Sequence, residues 1–144
     1  MKNLQLPLIG KWFEMTKAGI KSEDYREITP YWAKRLLNHT GFSLQDSLTE
    51  NQIVQLCKEM SECTGIDEFN EGSDIDYQID NWYVTFKPFT QNTMTLGYPK
   101  STDTERIIKF EHKGIEIRTG NPEWGAQEGK LYFVIKHGNP INNL

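Results

Sequence analysis

The spacing of apolar and polar positions predicts short strands and three helices in the first half of the chain. Strands are expected over residues 4–9 and over residues 22–28, where polar and apolar side chains alternate. Apolar residues recur three or four positions apart in the helical segments. The three expected helices are one from Gly10 that ends at Gly19, one over residues 30–38, and one from Thr49 to just before Gly65.

Each predicted helix carries its own boundary or packing signal. The first places Trp12, Met15 and Thr16 on one face, and Gly19 is a natural left-handed stop. In the second, Thr29 and Pro30 form an N-cap and a first-turn proline. Thr49 and Gln52 open the third with a capping box. The inward-facing residues of the second and third helices are expected to be Trp32, Ala33, Leu36, Ile53, Leu56, Cys57 and Met60.

The second half of the chain is rich in β-branched and aromatic residues and predicts strands. They are expected over residues 82–86, 93–96, 106–118 and 131–137. Helices early and strands late, with few βαβ units, favour an α+β fold whose sheet curls into a small barrel. At 144 residues the chain has the size of a single domain, residues 1–144.

Composition excludes several classes of protein. No stretch approaches the length of about 20 apolar residues that a membrane-spanning helix needs, and the N-terminus lacks the pattern of a signal peptide. We therefore expect a cytoplasmic protein without a membrane partner. Cys57 and Cys63 lack zinc-site spacing, so both are expected to be buried thiols. No cofactor or metal is expected, and His39, His112 and His137 have no motif around them.

The net charge of -4 hides an asymmetry along the chain. Residues 59–86 contain eight acids and no Lys or Arg, so the 16 basic residues stand against 12 acids in the remainder. The acidic run over residues 66–80 lacks EF-hand spacing and is expected to be a solvated loop. Long nucleic acid bound by phosphate neutralisation alone is disfavoured, but a local basic cleft is permitted.

One segment combines charges in a pattern suited to ligand binding. In a strand over residues 22–28, Asp24 and Arg26 would share one face and Tyr25 would point to the other. A carboxylate beside a guanidinium can supply acceptors and bidentate donors to one substrate. Lys21 lies at the entrance of the strand, where the preceding turn could steer its ammonium toward the same cavity. The alternative is a surface ion pair on an edge strand.

Three sequence segments together resemble the ASCH domain family, relatives of the PUA RNA-binding barrel. Gly19, Lys21, Asp24 and Arg26 match its Gly-x-Lys-x-x-Asp/Glu-x-Arg signature. Residues 25–32 (YREITPYW) and 114–126 (GIEIRTGNPEWGA) are similar to a branch of small bacterial and phage ASCH proteins. The resemblance covers nearly the whole chain, and the segment over residues 46–80, a helix with the acidic loop, looks like an insertion specific to that branch.

The resemblance implies a small mixed β-barrel flanked by helices and a cleft for RNA or a nucleoside-like small molecule. The expected ligand-binding residues are Gly19, Lys21, Asp24, Arg26, Tyr31, Trp32, Arg35 and Trp124. Some compact relatives hydrolyse acetylcytidine, with a threonine nucleophile where this chain has Asp24 and a lysine as activating base. A ribonuclease activity has been attributed to others. Because Asp24 replaces the threonine, that mechanism does not transfer, although Asp24 could act as base or nucleophile.

A later loop supplies the remaining candidates. The amidohydrolase relatives also use a glutamate, for which Glu123 is the best candidate and Glu128 the second choice; otherwise Glu123 accepts turn hydrogen bonds. Tyr31, Trp32 and Trp124 could stack on bases, whereas Trp12 and Trp82 are assigned to the core.

The leading interpretation is an RNA- or nucleoside-binding module. The alternatives are a hydrolase, with Lys21, Asp24 and Glu123 as catalytic residues, and an adaptor that binds another protein through its acidic loop.

Overall fold

The computed structural model describes residues 2–39, 42–62 and 84–141, which contain both helices and a sheet of five strands. The predicted α+β class is therefore confirmed. The chain forms two compact units, each built from separate segments. The first unit comprises residues 1–24, 88–114 and 135–144, and the second comprises residues 25–87 and 115–134. The predicted single domain and its insertion over residues 46–80 stay predictions.

The described strands agree closely with those predicted from the second half of the chain. They are β1 (Asn3–Leu8), β2 (Glu23–Arg26), β3 (Leu37–His39), β4 (Phe42–Ser43), β5 (Val84–Phe86), β6 (Gln91–Leu96), β7 (Ile107–Thr119) and β8 (Leu131–Pro140). The expected strand over residues 22–28 is shorter at both ends. Residues 82 and 83 of another expected strand lie outside the described residues.

The five-stranded sheet has the strand order β1-β6-β7-β8-β2, and the first unit contains all of β1 and β6 with parts of β7, β8 and β2. Parallel pairing of β1 with β6 places Gln5 beside Thr93, and antiparallel pairing of β6 with β7 places Lys109 on the other side of Thr93. Leu4, Leu6 and Met94 project from the opposite face, where they are fully or almost fully buried. Over these three strands, this alternation gives the sheet one mainly apolar face, which also carries the buried Asn92, and one polar face.

Helix α1 (Gly10–Lys17) also belongs to the first unit and ends as its sequence predicts. Gly19 has φ of 77°. Its N–H donates to the Thr16 carbonyl, and the Ile20 N–H donates to the Met15 carbonyl, a pair of bonds that defines a Schellman motif. Thr16 is buried as expected, whereas Trp12 is only half-buried and Phe13 occupies the core.

The second unit contains the other helices and a small sheet of order β4-β3-β5. The helices are α2 (Pro30–Leu36), α3 (Leu44–Ser47) and α4 (Glu50–Met60). Helix α2 ends two residues before the predicted Asn38, because Leu37 is extended and begins β3, which pairs with β5. Strands β3 and β4 and helix α3 were not predicted from the sequence.

The core of the second unit agrees with the helical spacing. Thr49 and Gln52 form both bonds of the predicted capping box. Six of the seven residues predicted to face inward are buried, and Trp32 is half-buried. Burial, with Glu50 adding to it, raises the pKa of the Cys57 thiol to about 12, as expected for a buried cysteine. Cys63, Gly65, the acidic run and Trp82 lie outside the described residues.

Among the described residues, no helix combines the length and apolar character needed to cross a membrane.

Candidate functional site

The first unit contains a buried ion pair formed by two residues of the signature segment. Lys21 and Asp24 are each 3% exposed, and Lys21 Nζ lies 3.6 Å from Asp24 Oδ1. Lys21 Nζ also donates a hydrogen bond of 2.6 Å to the Glu23 carbonyl. The carboxylate at position 24 is therefore not part of a surface ion pair.

The turn after α1 positions this lysine. The left-handed Gly19 reverses the chain, and the Lys21 N–H then donates to the Met15 carbonyl at 3.1 Å. Two residues later β2 begins, which places Asp24 inside the strand. Gly19 thus contributes through backbone conformation, which agrees with its place in the sequence pattern.

A second group of polar side chains in the first unit is centred on Asn92. Asn92 is fully buried, and its Nδ2 donates to the Lys136 carbonyl at 3.2 Å and lies 2.8 Å from His137 Nδ1. On its other side, Asn92 Oδ1 lies 2.7 Å from His112 Nδ1. Because a carbonyl accepts from Nδ2, this network makes His137 Nδ1 an acceptor and His112 Nδ1 a donor.

The Asn92 network and the ion pair influence one another electrostatically. The pKa of His137 is lowered to about 4, chiefly because burial disfavours the charged ring. The Asp24 charge opposes this shift, whereas Lys21 and His112 reinforce it. Burial also lowers the pKa of His112. We refer to Lys21, Asp24, Asn92, His112 and His137 as the polar cluster.

His137 has a buried hydrogen-bond donor without an acceptor among the described residues. When its ring is neutral and Nδ1 accepts from Asn92, the proton is on Nε2. The Nε2 atom is buried and has no hydrogen-bond partner in the described part of the chain. An unsatisfied buried donor costs about 1–3 kcal/mol of folding free energy, so this arrangement lowers the stability of the folded protein.

The second unit brings together four of the other predicted ligand-binding residues. The Arg26 guanidinium lies 4.7 Å from the centre of the Trp32 ring. The Arg35 guanidinium lies 5.6 Å from the same ring and 5.3 Å from the Tyr31 ring. Tyr31 is 60% exposed. These two arginines and two aromatic rings, here called the arginine-aromatic cluster, offer cationic and stacking groups on α2 and the end of β2.

Glu123 and Trp124 lie in a short 3-10 helix, Pro122–Trp124, also in the second unit. Asn121 caps it by accepting from the Glu123 N–H at 3.0 Å, and its own N–H donates to the Tyr25 hydroxyl at 2.9 Å. Glu123 and Glu128 are exposed, and Trp124 is half-buried. The turn itself is therefore well anchored.

Gly120 provides a test of that anchoring. A Cβ at this position would lie 2.7 Å from Ala126 Cβ and 2.8 Å from the Tyr25 ring. We expect Gly120→Ala to lower the free energy of unfolding by about 1–3 kcal/mol through overpacking, measured by urea denaturation. Gly10→Ala is the control, since Gly10 does not have a positive φ and a Cβ there would lie 3.9 Å from Leu96 Cδ1, an ordinary contact. Equal effects of the two substitutions would show that close packing at Gly120 is unimportant.

The candidate site residues predicted from the sequence therefore lie in two different units. Lys21 and Asp24 meet in the first, and the arginine-aromatic cluster and the turn of Glu123 and Trp124 lie in the second. The expectation that Asp24 and Arg26 share a face stays a prediction. Sequence reasoning missed Asn92, His112 and His137, because only strand pairing joins positions 45 residues apart.

Comparison with protein-family models, curated proteins and solved structures gave no significant match. Within the described residues, no group of three or more His, Cys, Asp or Glu side chains could hold a metal ion.

Proposed function

We propose that this protein binds a nucleoside-like small molecule through Lys21 and Asp24, and that it has the PUA-like barrel fold of the ASCH family. The observation that carries the proposal is the burial of both charges, each only 3% exposed. Taking two charges out of water costs more than their attraction commonly returns, so such a pair is weak evidence for stability. Its occurrence at the signature positions Lys21 and Asp24 favours a role in recognition.

The chemistry of the pair suits the edge of a nucleobase. A carboxylate accepts hydrogen bonds from an exocyclic amine or a ribose hydroxyl, and an ammonium donates to a base carbonyl. The buried Nε2–H of His137 adds a donor in the same unit. Low local dielectric strengthens each of these interactions with a ligand group that reaches them.

Their burial favours a small ligand over the phosphate backbone of a long strand. Binding dominated by phosphate contacts uses exposed Lys and Arg side chains and weakens steeply with salt. The arginine-aromatic cluster is the feature that supports RNA, because its exposed Tyr31 ring and Arg35 guanidinium could stack on unpaired bases. We therefore treat RNA binding as the competing outcome of the same experiment.

A thermal-shift titration separates these outcomes. Cytidine, acetylcytidine, other nucleosides and a short single-stranded RNA are added to the full chain, since a ligand that binds the native state raises Tm. We expect a nucleoside to raise Tm in moderate salt, and Asp24→Asn to abolish the shift relative to its own unliganded Tm. Asp46→Asn is the matched control, because Asp46 lies in α3 and bonds Ser43 at the surface.

A shift only with RNA, lost in moderate salt and in Arg35→Ala, would replace this proposal with RNA binding through the arginine-aromatic cluster. A shift that persists unchanged in Asp24→Asn would contradict the assignment of the site.

Hydrolysis is the second candidate, favoured by the distance of 3.6 Å between Lys21 Nζ and Asp24 Oδ1. At this distance the ammonium can stabilise negative charge while the carboxylate acts as base or nucleophile toward an amide such as that of acetylcytidine. The test is release of acetate from acetylcytidine, followed by NMR. Turnover that Asp24→Asn retains in full would exclude this mechanism.

A further inference from the structure

The first unit also contains a cavity of about 350 Å³, lined by none of the residues of the polar cluster. Its volume is within the range of about 300–1,000 Å³ typical of small-molecule sites. It lies between the polar face of the sheet and the segment that joins β6 to β7. The lining residues are Asn3, Gln5, Thr93, Thr95, Pro99, Ser101, Thr104, Ile107 and Lys109.

Strand register explains why the floor of this cavity is polar. Thr93 stands between Gln5 on β1 and Lys109 on β7, and Thr95 stands between Pro7 and Ile107. A sheet face made of such residues is ordinarily solvated. Here Thr93 and Thr95 are only 4% and 8% exposed. The polar face is therefore covered at Thr93 and Thr95, whereas Gln5, Ser101 and Thr104 are exposed, so the cavity is partly open to solvent.

The hydrogen bonds within the cavity define what it can offer a ligand. Thr93 Oγ1 donates to Asn3 Oδ1 at 2.6 Å, and Thr95 Oγ1 donates to the Gly97 carbonyl at 2.8 Å. Because each hydroxyl proton is used, the two threonine oxygens can act toward a ligand only as acceptors. The Asn3 amide nitrogen can act as a donor. This combination matches the hydroxyl groups of a polyol.

The cavity contains one positively charged side chain, that of Lys109. Among the described residues that line the cavity, Lys109 is the only ionisable one and none is a carboxylate. No described residue forms an ion pair or hydrogen bond with its ammonium group. Glu111, two positions along the same strand, pairs with Lys113. A half-buried ammonium among hydroxyl and amide groups attracts an anion.

The wall opposite the sheet is held in place by its own bonds. Arg106 Nη2 donates to the Leu96 carbonyl at 2.7 Å, and the Gly97 N–H donates to the Leu8 carbonyl at 3.2 Å. The Arg106 N–H also donates to the Asp103 carbonyl. These contacts hold both ends of the segment against the strands.

We infer that this cavity is a second binding site, for a small hydroxylated anion whose charged group contacts Lys109. A sugar phosphate and a sugar acid both carry hydroxyl groups and a negative charge. The experiment distinguishes a phosphate from a carboxylate as the charged group. The inference is independent of the function proposed for Lys21 and Asp24, because it uses different residues on the polar face of the sheet.

The test is calorimetric titration of the full chain with ribose 5-phosphate, gluconate, inorganic phosphate and uncharged ribose. We expect one of the two hydroxylated anions to bind more tightly than ribose and more tightly than inorganic phosphate. Ribose lacks the charge and inorganic phosphate lacks the sugar hydroxyl groups, so the two comparisons show whether charge and hydroxyl groups both contribute to affinity. Lys109→Gln is expected to weaken binding of that anion by about 10- to 100-fold, the usual effect of losing a charge-assisted hydrogen bond.

Lys58→Gln is the matched control, since Lys58 is exposed on α4 and should leave the affinity unchanged. Binding is mapped independently by amide NMR shifts, expected at Thr93, Thr104 and Lys109 in the unmodified protein. The inference is overturned if neither anion binds saturably up to high millimolar concentration, if Lys109→Gln binds as tightly as the unmodified chain, or if the shifts lie away from the cavity.

Discussion

Replacing Asp24 by Asn is expected to lower the free energy of unfolding by about 3–5 kcal/mol, the typical effect of leaving a buried charge without its partner. The substitution preserves the shape of the side chain but removes the negative charge 3.6 Å from Lys21 Nζ. Lys21, only 3% exposed, would then carry an ammonium that burial disfavours and that the remaining dipoles around it must stabilise. Urea denaturation at neutral pH measures the effect.

Two further variants make this expectation specific. Lys34 forms an exposed pair with Glu50 at 2.8 Å, so Lys34→Met should cost no more than about 1 kcal/mol. The double variant Lys21→Met with Asp24→Leu removes both charges and should recover much of the stability lost in Asp24→Asn. If Asp24→Asn were as mild as Lys34→Met, the pair would not behave as a buried pair.

Stability is expected to fall as the pH decreases from about 6.5 to about 4, and His137 should account for about 3 kcal/mol of that loss. Burial holds the pKa of His137 below its ordinary value of 6.5, so the folded state favours the neutral ring. The unfolded chain therefore binds a proton at higher pH than the folded chain does. The stabilisation is complete above pH 6.5 and is lost as the pH falls toward the folded-state pKa.

The variant His137→Asn isolates this contribution. An asparagine carbonyl can accept from Asn92 as His137 Nδ1 does, but it does not titrate. Urea denaturation at pH 7 and pH 4 should show a smaller loss of stability in His137→Asn than in the unmodified chain. Glu123→Gln, at an exposed position, should retain the original pH dependence. An unchanged loss in His137→Asn would mean that His137 is not held neutral by the fold.

Local signals in the sequence identified the longer helices and strands, but not β3, β4 or α3, nor the pairing that builds the polar cluster. The Gly19 stop and the Thr49 capping box depend on residues within one turn, and both are present. Helix α2 is shorter than expected because Leu37 pairs with Phe86, a partner that no local pattern identifies. Tertiary pairing overrode helical spacing at that point.

In the candidate site, too, residues positioned by local structure were predicted, and residues brought together by strand pairing were not. The signature spacing identified Lys21 and Asp24, which lie together, because the turn and strand that position them are local. Asn92 and His137 were missed, since they come from separate strands and carry no motif of their own. The burial of Asp24 disagrees with the alternative expectation of a surface ion pair on an edge strand.

The most direct test of the central proposal is an amide NMR titration of the unmodified protein with cytidine and acetylcytidine. Binding through Lys21 and Asp24 predicts saturable shifts at residues 21–24 and at His137, which pairs with Ser22 through its backbone N–H. Saturable shifts confined to other residues, or none with either nucleoside, would contradict the proposal that this buried pair recognises a nucleoside-like ligand.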